Sequence, residues 1–495
     1  MTVTTDANPS SLARKIVHGV LWTSLEAWGQ QVALFAIFIV LARLVGPESL
    51  GQALIVLILP SIVTTALVKG LSDALVQRVQ LEPAHLDSAF WLLVCFGSLF
   101  TVVFWFLGDT IAAAFSRSDL AEPARWASLQ IILTCLMIVP AACIRRDLAF
   151  RKLAIRTFYG TLLGGSVGCA LALAHYGVWS LLAMQIVRSA VEATYLLATS
   201  KWRPRLEFSL AKCRDLVPVA APSSFVATWS NFNDELPKMI VGALLGATQV
   251  GIYGLARRPL EFLSSVLLGP ISLITMPVVA RLQTDPERTT IYYVNAVRIT
   301  SLIGFPAFTG LAAIAPDLVP LLLGESWRDS ISAIQIVMLL GLVRTVDGVA
   351  GGVAVAHGYS AIILYFSLAY SVIATALLVA ASPFGLEATM LAIVVANAVL
   401  LPPFLLVVRQ RTGVAMFLPL ICFPRIIAAT AAMIIAVLSW QMTWRAALPA
   451  SLLVATAAGV GLVTYTAIAL LLLRKELGEL RSRLLARSSG KGDRV

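Results

Sequence analysis

The sequence predicts an all-α polytopic membrane protein. Hydrophobic residues make up 59% of the 495 residues and charged residues only 13%. The chain contains fourteen apolar stretches, each near the length of about 20 residues with which a helix crosses ~30 Å of hydrocarbon. Strands of a membrane barrel would be shorter and would alternate in polarity, so helices are expected. The stretches are 18–42, 51–72, 88–108, 126–144, 157–175, 178–199, 217–245, 251–276, 290–315, 330–353, 361–382, 386–408, 418–440 and 448–473.

The segments between these predicted spans are short, and none exceeds 17 residues. No soluble catalytic domain fits between them, so we expect the function to lie within the membrane. The first span is too long for the apolar region of a cleaved signal peptide. Cysteines and histidines are scattered without metal-ligand spacing, and no nucleotide or nucleophile motif is present. No metal or organic cofactor is therefore expected.

The basic residues are distributed unevenly, which predicts the topology. With Met1 in the cytoplasm, the inner segments hold 24 Lys and Arg residues and the outer segments five. By the positive-inside rule, both termini are expected in the cytoplasm. The net charge of +11 is interpreted in the same way, with the inner loops 145–156 and 201–214 contacting anionic lipid rather than nucleic acid.

An internal repeat is visible in two places. The segment 44–51, with Gly46 and Gly51, corresponds to 244–251, with Gly246 and Gly251, and 80–83 corresponds to 283–286. Six predicted spans separate equivalent points, so the halves are predicted to be parallel repeats, an arrangement in which transporters bind substrate between the halves. The predicted regions are an N-terminal lobe (1–216), a C-terminal lobe (217–408), an appended pair of helices (409–473) and a basic tail (474–495).

Ionisable residues inside the predicted spans need a reason, because burying them in hydrocarbon is costly. Several fall three or four residues apart on one helix face and can neutralise each other. These pairs are Lys69–Asp73, Arg188–Glu192, Asp234–Lys238, Arg257–Glu261 and Arg344–Asp347.

Three features do not fit simple pairing. The segment 229–238 is polar and contains Pro237; Arg257 and Arg258 are consecutive, so Glu261 alone is not expected to neutralise both; and Arg298 has no acid within one turn. We interpret them as lining a hydrated, cationic cavity that attracts an anionic head group through guanidinium–phosphate contacts. The predicted anion-binding residues are Lys238, Arg257, Arg258, Arg298, Arg344 and Arg188. The acids that could bind a coupling H⁺ or Na⁺ are Asp234, Glu235, Glu261, Asp347 and Glu26.

The segments Ala42–Gly51 and Gly70–Arg78 resemble the oligosaccharide flippase branch of the multidrug/oligosaccharidyl-lipid/polysaccharide exporter superfamily. The nearest likeness is to exporters of colanic acid, teichuronic acid and succinoglycan. Asp234, residues 245–253 and the segment Leu323–Trp327 extend the resemblance into the second half. Val45 and Leu50 differ from the Leu and Phe of the family pattern, which bears only on how the turn packs.

The resemblance implies an inner-membrane flippase that moves a polyprenyl-pyrophosphate-linked oligosaccharide outward for polymerisation. It also implies two six-helix lobes forming a V-shaped cavity, two further helices that hold the lipid tail, and H⁺ or Na⁺ antiport. A polysaccharide polymerase or export complex is the implied partner.

Alternative functions remain open at this point. The first is a small-molecule antiporter of the same superfamily, which the fourteen spans and the excess of cations disfavour. A membrane polymerase or ligase would be expected to carry a large outer loop with catalytic groups, and a structural scaffold would leave the buried charges unexplained. The sequence does not identify the sugar. Candidates for contacting it are Trp229, Tyr253, Tyr292 and Tyr365.

Overall fold

A computed structural model describes residues 9–147, 149–421 and 423–472, with side chains described from residue 31 onward and at Gly29. This part of the chain contains no strand, which confirms the all-α prediction. The helices are α1 (Pro9–Gln77), α2 (Pro83–Phe106), α3 (Gly108–Ala114), α4 (Ala121–Ala127), α5 (Leu129–Arg146), α6 (Phe150–Leu173), α7 (Val178–Thr199), α8 (Leu210–Arg214), α9 (Val217–Leu245), α10 (Ala247–Leu263), α11 (Gly269–Leu282), α12 (Pro286–Leu323), α13 (Ser330–Ala356), α14 (Ser360–Ala381), α15 (Leu386–Thr412), α16 (Phe423–Trp444) and α17 (Ala450–Leu472).

Eleven helical stretches within the described residues are long and apolar enough to cross a membrane. The chain is therefore a multi-pass membrane protein. Two of the predicted spans lie in α1, whose described apolar part counts as one stretch. Helices α6 and α9 have the required length but are not among the eleven. The predicted total of fourteen stays a prediction, and the basic tail lies outside the described residues.

The chain divides into two compact units, one ending at Gly254 and the other beginning at Leu255. We call them unit 1 and unit 2. Unit 1 contains α1 to α9 and the first part of α10, and unit 2 contains the rest. The lobe boundaries predicted from the repeat stay a prediction.

The two turns that the sequence paired have the same backbone conformation. Gly46 interrupts α1 with φ 80° and ψ 172°, and Gly246 ends α9 with φ 90° and ψ 174°. A positive φ of this size favours glycine, since a Cβ makes the conformation costly. The second sequence match also has a structural counterpart, because Glu82 and Asp285 both stand at helix N-caps followed by proline. The local correspondence predicted at both sites is confirmed.

The two paired turns meet each other inside unit 1. A Cβ on Gly51 would overlap the carbonyl group of Ala247 and lie 2.9 Å from the backbone nitrogen of Gly251. Reciprocally, a Cβ on Gly251 would overlap the carbonyl group of Pro47 and lie 3.0 Å from the backbone nitrogen of Gly51. Glycine at both positions therefore allows two backbones to touch.

From this crossing, the second half of α1 runs antiparallel to α9. The two helices are joined by side-chain hydrogen bonds between Ser61 and Asn231, at 3.2 Å, and between Ser224 and the carbonyl oxygen of Ala66, at 2.7 Å. Hydrogen bonds of this kind hold helices together in hydrocarbon, where no water competes for the polar groups. Part of the polar character of α9 thus serves helix packing.

Two segments of unit 1 that connect helices are joined by ion pairs. Arg78 lies 3.2 Å from Asp215, and Lys212 lies 2.8 Å from Glu82. The hydrogen bond from Lys212, together with its charge, holds the pKa of the Glu82 carboxyl below its usual value. Some of the basic residues attributed to topology therefore also connect the segments that precede α2 and α9.

Unit 2 is organised around α12, a 38-residue helix that contains Pro306, Pro316 and Pro320. A proline removes the N–H that would bond the carbonyl four residues earlier. Side chains of neighbouring helices replace two of these donors. The Tyr465 hydroxyl of α17 donates to the carbonyl oxygen of Leu302, at 2.6 Å, and the Gln335 amide of α13 donates to that of Ala312, at 3.1 Å.

The predicted appended pair, α16 and α17, packs against α12. In addition to the contact through Tyr465, Gln441 and Arg445 both bond the carboxylate of Asp317, at 2.8 and 2.7 Å. The Trp440 indole donates to the Thr456 hydroxyl, at 3.0 Å, and joins α16 to α17. These two helices are thus connected by hydrogen bonds to the helix that carries Arg298.

Candidate anion-binding site

In α9, the ion pair differs from the predicted one. The Lys238 ammonium lies 2.9 and 2.8 Å from the two carboxylate oxygens of Glu235, three residues away, instead of pairing with Asp234. Glu235 is buried and Asp234 is exposed. A buried carboxylate needs a counter-charge more than an exposed one does, so the lysine is held by Glu235. The predicted Asp234–Lys238 pair is wrong.

At the end of α10, both arginines contact one acid. Arg257 lies 3.3 Å and Arg258 3.7 Å from carboxylate oxygens of Glu261. The predicted Arg257–Glu261 pair is confirmed. Both guanidiniums therefore contact the same carboxylate, and the predicted surplus of positive charge stays a prediction. A π-helical turn, Ser264–Leu268, follows this segment, and such turns often occur at functional sites. We call Arg257, Arg258 and Glu261 the single-turn cluster.

The other predicted residues of unit 2 lie on α12 and α13. Arg298 is partly buried, and within the described residues no acid lies close enough to form an ion pair with it. Arg344 and Asp347 are three residues apart on α13, and the arginine charge acts on the exposed Asp347 carboxylate. Unit 2 therefore has more cationic than acidic groups at these predicted positions.

In unit 1, the Arg188–Glu192 pair is confirmed and has a third member. Arg188 Nε donates to Glu192 Oε1 at 3.0 Å, and Arg156 Nε lies 3.2 Å from Glu192 Oε2. We call Arg156, Arg188 and Glu192 the inter-helix cluster, because Arg156 comes from α6 and the other two from α7. Arg156 was predicted to lie in an inner loop, but it lies on α6, six residues after the helix begins.

The remaining predicted residues include Glu26 and two of the tyrosines that were candidates for contacting the sugar. Glu26 lies on α1, but its side chain lies outside the described residues. Tyr253 is buried, which argues against contact with a sugar, and the Tyr292 hydroxyl donates to Thr275 at 3.2 Å. Across the described part of the chain, no group of three or more His, Cys, Asp or Glu side chains could hold a metal ion.

Residues 40–332 match the model of a family described as polysaccharide biosynthesis protein. The chain belongs to this family. The predicted membership of the oligosaccharide flippase branch is confirmed.

Individual relatives agree with the family match. The lipopolysaccharide biosynthesis protein WzxC of Escherichia coli (strain K12) is 25% identical over 360 residues, covering 70% of this chain and 71% of the relative. The succinoglycan biosynthesis transport protein ExoT of Rhizobium meliloti (strain 1021) is 26% identical over 323 residues, covering 64% and 65%. The teichuronic acid biosynthesis protein TuaB of Bacillus subtilis (strain 168) is 20% identical over 359 residues, covering 72% and 74%.

Two solved structures share the fold. An inward closed structure of the lipid II flippase MurJ has a TM-score of 0.75 at 12% sequence identity, covering 92% of this chain and all of that chain. An inward-facing multidrug resistance transporter of the MATE family has a TM-score of 0.64 at 17% identity, covering 77% and 94%. At these identities, the likeness concerns the fold.

Proposed function

We propose that this protein is a flippase for oligosaccharides linked to a polyprenyl pyrophosphate. It moves them from the cytoplasmic to the outer leaflet of the bacterial inner membrane, for assembly of an exopolysaccharide or O-antigen-type polymer. The family match supports this function, and so does a relative named for succinoglycan transport. We further propose that both termini are cytoplasmic, that transport proceeds by alternating access, and that a polymerase or export complex receives the product.

The observation that carries this proposal is a guanidinium group on a membrane helix with no acid beside it. Arg298, on α12, has no acid at ion-pair distance within the described residues. An unneutralised cation at membrane depth is costly unless it has a task. A pyrophosphate supplies the missing negative charge, and guanidinium groups bind its oxygens through paired N–H donors. An anionic substrate accordingly fits this chain better than the substrate of a drug antiporter.

Ion coupling is a separate proposal, and we base it on the exposure of the candidate acids. The Glu235 carboxylate pairs with Lys238, and the residues Asp234 and Asp347 are exposed. We propose that one of these two exposed acids binds the coupling H⁺ or Na⁺. Asp234→Asn and Asp347→Asn are the variants that test it, in vesicles with an imposed pH or Na⁺ gradient. Transport by the unsubstituted protein that ignores both gradients would remove the coupling proposal.

The flippase proposal is tested by deleting the gene in its own host. We expect surface polysaccharide to be lost and the lipid-linked oligosaccharide to accumulate in the inner leaflet, because synthesis continues without translocation. The gene is then returned with Arg298→Ala, with Arg258→Ala, or with the control Arg328→Ala, an exposed arginine paired with exposed Glu325. Export and membrane abundance are measured together.

The expected result is restored export with the control and poor export with the two test variants at normal abundance. Normal export by both test variants at normal abundance would contradict the anion-binding role. Unchanged export in the deletion strain, with altered sensitivity to drugs, would favour the antiporter alternative instead.

A further inference from the structure

The inter-helix cluster holds one carboxylate between two guanidiniums from different helices. The Glu192 side chain is 8% exposed, whereas those of Arg156 and Arg188 are 21% and 27% exposed. The acid is therefore enclosed, and the two cations remain partly accessible beside it. An arrangement in which an accessible pair of arginines holds an internal carboxylate resembles an occupied anion site.

The hydrogen-bonding capacity of this cluster is not used up. Each guanidinium has five N–H donors, and a carboxylate accepts about four hydrogen bonds. Arg156 Nε is buried and, within the described residues, makes no well-aligned hydrogen bond, although Glu192 lies 3.2 Å away. Glu192 thus compensates the two arginines only in part, and a ligand with more acceptor oxygens would satisfy them better.

A third arginine adds positive charge to the same place. Arg145, at the end of α5, lies near enough for its charge to act on Arg156, and it donates a hydrogen bond to Ser72 of α1 at 3.0 Å. The charge of Arg145 also acts on the Asp73 carboxylate, so three guanidiniums and two carboxylates give a net charge of about +1. Phosphate and pyrophosphate esters are the anions that match a group of arginines of this charge.

Two glycines of α6 make room for the cluster. A Cβ on Gly160 would lie 2.6 Å from Glu192 Cγ and 3.0 Å from its Oε1, and a Cβ on Gly164 would lie 2.9 Å from Arg188 Cβ. Glycine at these two positions therefore lets charged side chains lie between α6 and α7. At 1.5 Å per residue, Arg156 and Glu192 lie about 10 Å from the first residue of α6 and the last residue of α7, respectively.

We propose that the inter-helix cluster is a phosphate-exchange site. Glu192 occupies Arg156 and Arg188 while no substrate is bound, and a phosphoryl group of the substrate replaces its carboxylate. The Glu192 carboxylate and the phosphate compete for the same N–H donors. The two guanidiniums are therefore neutralised both with and without substrate. This proposal deepens the proposed function and rests on it, since it takes the substrate to be a pyrophosphate-linked lipid.

The test measures binding of geranylgeranyl pyrophosphate to the full-length protein in phosphatidylcholine nanodiscs. Glu192→Gln keeps the shape of the side chain and removes the competing charge. We expect it to bind the probe about tenfold more tightly, equal to ~1.4 kcal/mol, and to have a lower melting temperature without the probe. Arg156→Ala and Arg188→Ala should bind about tenfold more weakly, and the control Arg328→Ala should bind as the unsubstituted protein does.

A purely structural ion pair predicts a different result. Glu192→Gln would then lower the melting temperature without tightening binding, and equal or weaker binding by this variant overturns the proposal. A second set of nanodiscs contains added phosphatidylglycerol. If this lipid abolishes the difference between Glu192→Gln and the unsubstituted protein, phosphate exchange is supported and the ligand is assigned to the bulk lipid.

The two proposals fail in distinguishable ways. Normal polysaccharide export in the deletion strain removes the flippase function, whatever Glu192→Gln binds. Lost export in that strain, combined with no gain in affinity for Glu192→Gln, removes only the exchange site. Absence of probe binding by both proteins also overturns the exchange site.

Discussion

The inter-helix cluster of unit 1 and the single-turn cluster of unit 2 have the same composition, two arginines and one glutamate, but they hold the glutamate differently. Glu192 is 8% exposed and contacts arginines from α6 and α7 at 3.2 and 3.0 Å. Glu261 is 40% exposed, and its partners lie on its own helical turn, at 3.3 and 3.7 Å. The first cluster connects two helices, whereas the second lies along one.

This difference separates two functions of the same residues. A buried carboxylate that bridges helices is needed for folding and yields its arginines only to a competing anion. An exposed carboxylate whose described ion pairs lie on its own helical turn contributes less to holding helices together. The i,i+4 spacing is identical for Arg188–Glu192 and Arg257–Glu261, so spacing alone does not distinguish the two. Burial and the helix that supplies the second arginine do.

The largest expected effect comes from removing each glutamate. Glu192→Ala leaves two guanidiniums partly buried without a counter-charge and should destabilise the protein by about 3 kcal/mol. Glu261→Ala should cost less than ~1 kcal/mol, because exposed pairs contribute little. Thermal unfolding of the purified variants measures both. Equal losses of stability would contradict the difference proposed here, because both glutamates would then contribute equally to folding.

A smaller effect is expected where only the inter-helix cluster is disturbed. Gly160→Ala places a Cβ 2.6 Å from Glu192 Cγ and should cost roughly 1–3 kcal/mol, as overpacking does. The matched control is Gly459→Ala in α17, where a Cβ would meet nothing within 4 Å, so stability should stay equal or rise slightly. The melting temperatures of the two variants test this expectation. An unaffected Gly160→Ala protein would show that α6 and α7 do not need this close approach.

Removing an arginine from each cluster should separate binding from folding. Arg258→Ala should lower export about tenfold at normal abundance, since a lost charge-assisted contact to phosphate is worth roughly 1.5 kcal/mol or more. Arg188→Ala should lower export and abundance together, because Glu192 then loses one of its two partners. Quantitative polysaccharide assays with membrane immunoblots check this. A fall in abundance for Arg258→Ala would show that this arginine is needed for folding as well as for binding.

The smallest effect is expected at a site that touches neither cluster. Tyr465→Phe removes the hydroxyl that donates to the Leu302 carbonyl oxygen at 2.6 Å, and Pro306 leaves that oxygen without a helical donor. Leaving it unsatisfied should cost about 1 kcal/mol and leave phosphate binding unchanged. Thermal unfolding and probe binding, measured on one preparation, test this. Altered probe binding would mean that packing of the appended helices reaches an anion site.

Much of the architecture could be predicted from the sequence, because a helix that crosses hydrocarbon needs a long run of apolar residues. Long apolar runs predicted helices, and the paired Gly46 and Gly246 predicted two turns that have the same backbone. The pairs Lys69–Asp73 and Arg188–Glu192 followed from helical spacing and are present, at 3.0 Å each.

Some predictions failed where a charged residue lies on a helix instead of in the adjoining loop. Arg145 and Arg156 were placed in an inner loop, but α5 and α6 extend past their apolar parts and carry both. The choice of Glu235 over Asp234 as the partner of Lys238 depends on which acid is buried, and spacing does not reveal burial. A charged residue at the edge of an apolar run is a signal that could have identified Arg156.

Reconstituted transport tests the central claim most directly. Liposomes containing the purified protein are loaded with a fluorescent polyprenyl-pyrophosphate oligosaccharide, and its movement between leaflets is followed by quenching from outside. We predict translocation by the unsubstituted protein and by Arg328→Ala, and translocation at least about tenfold slower with Arg258→Ala and Arg298→Ala combined. Translocation by the double variant at the unsubstituted rate would contradict the account.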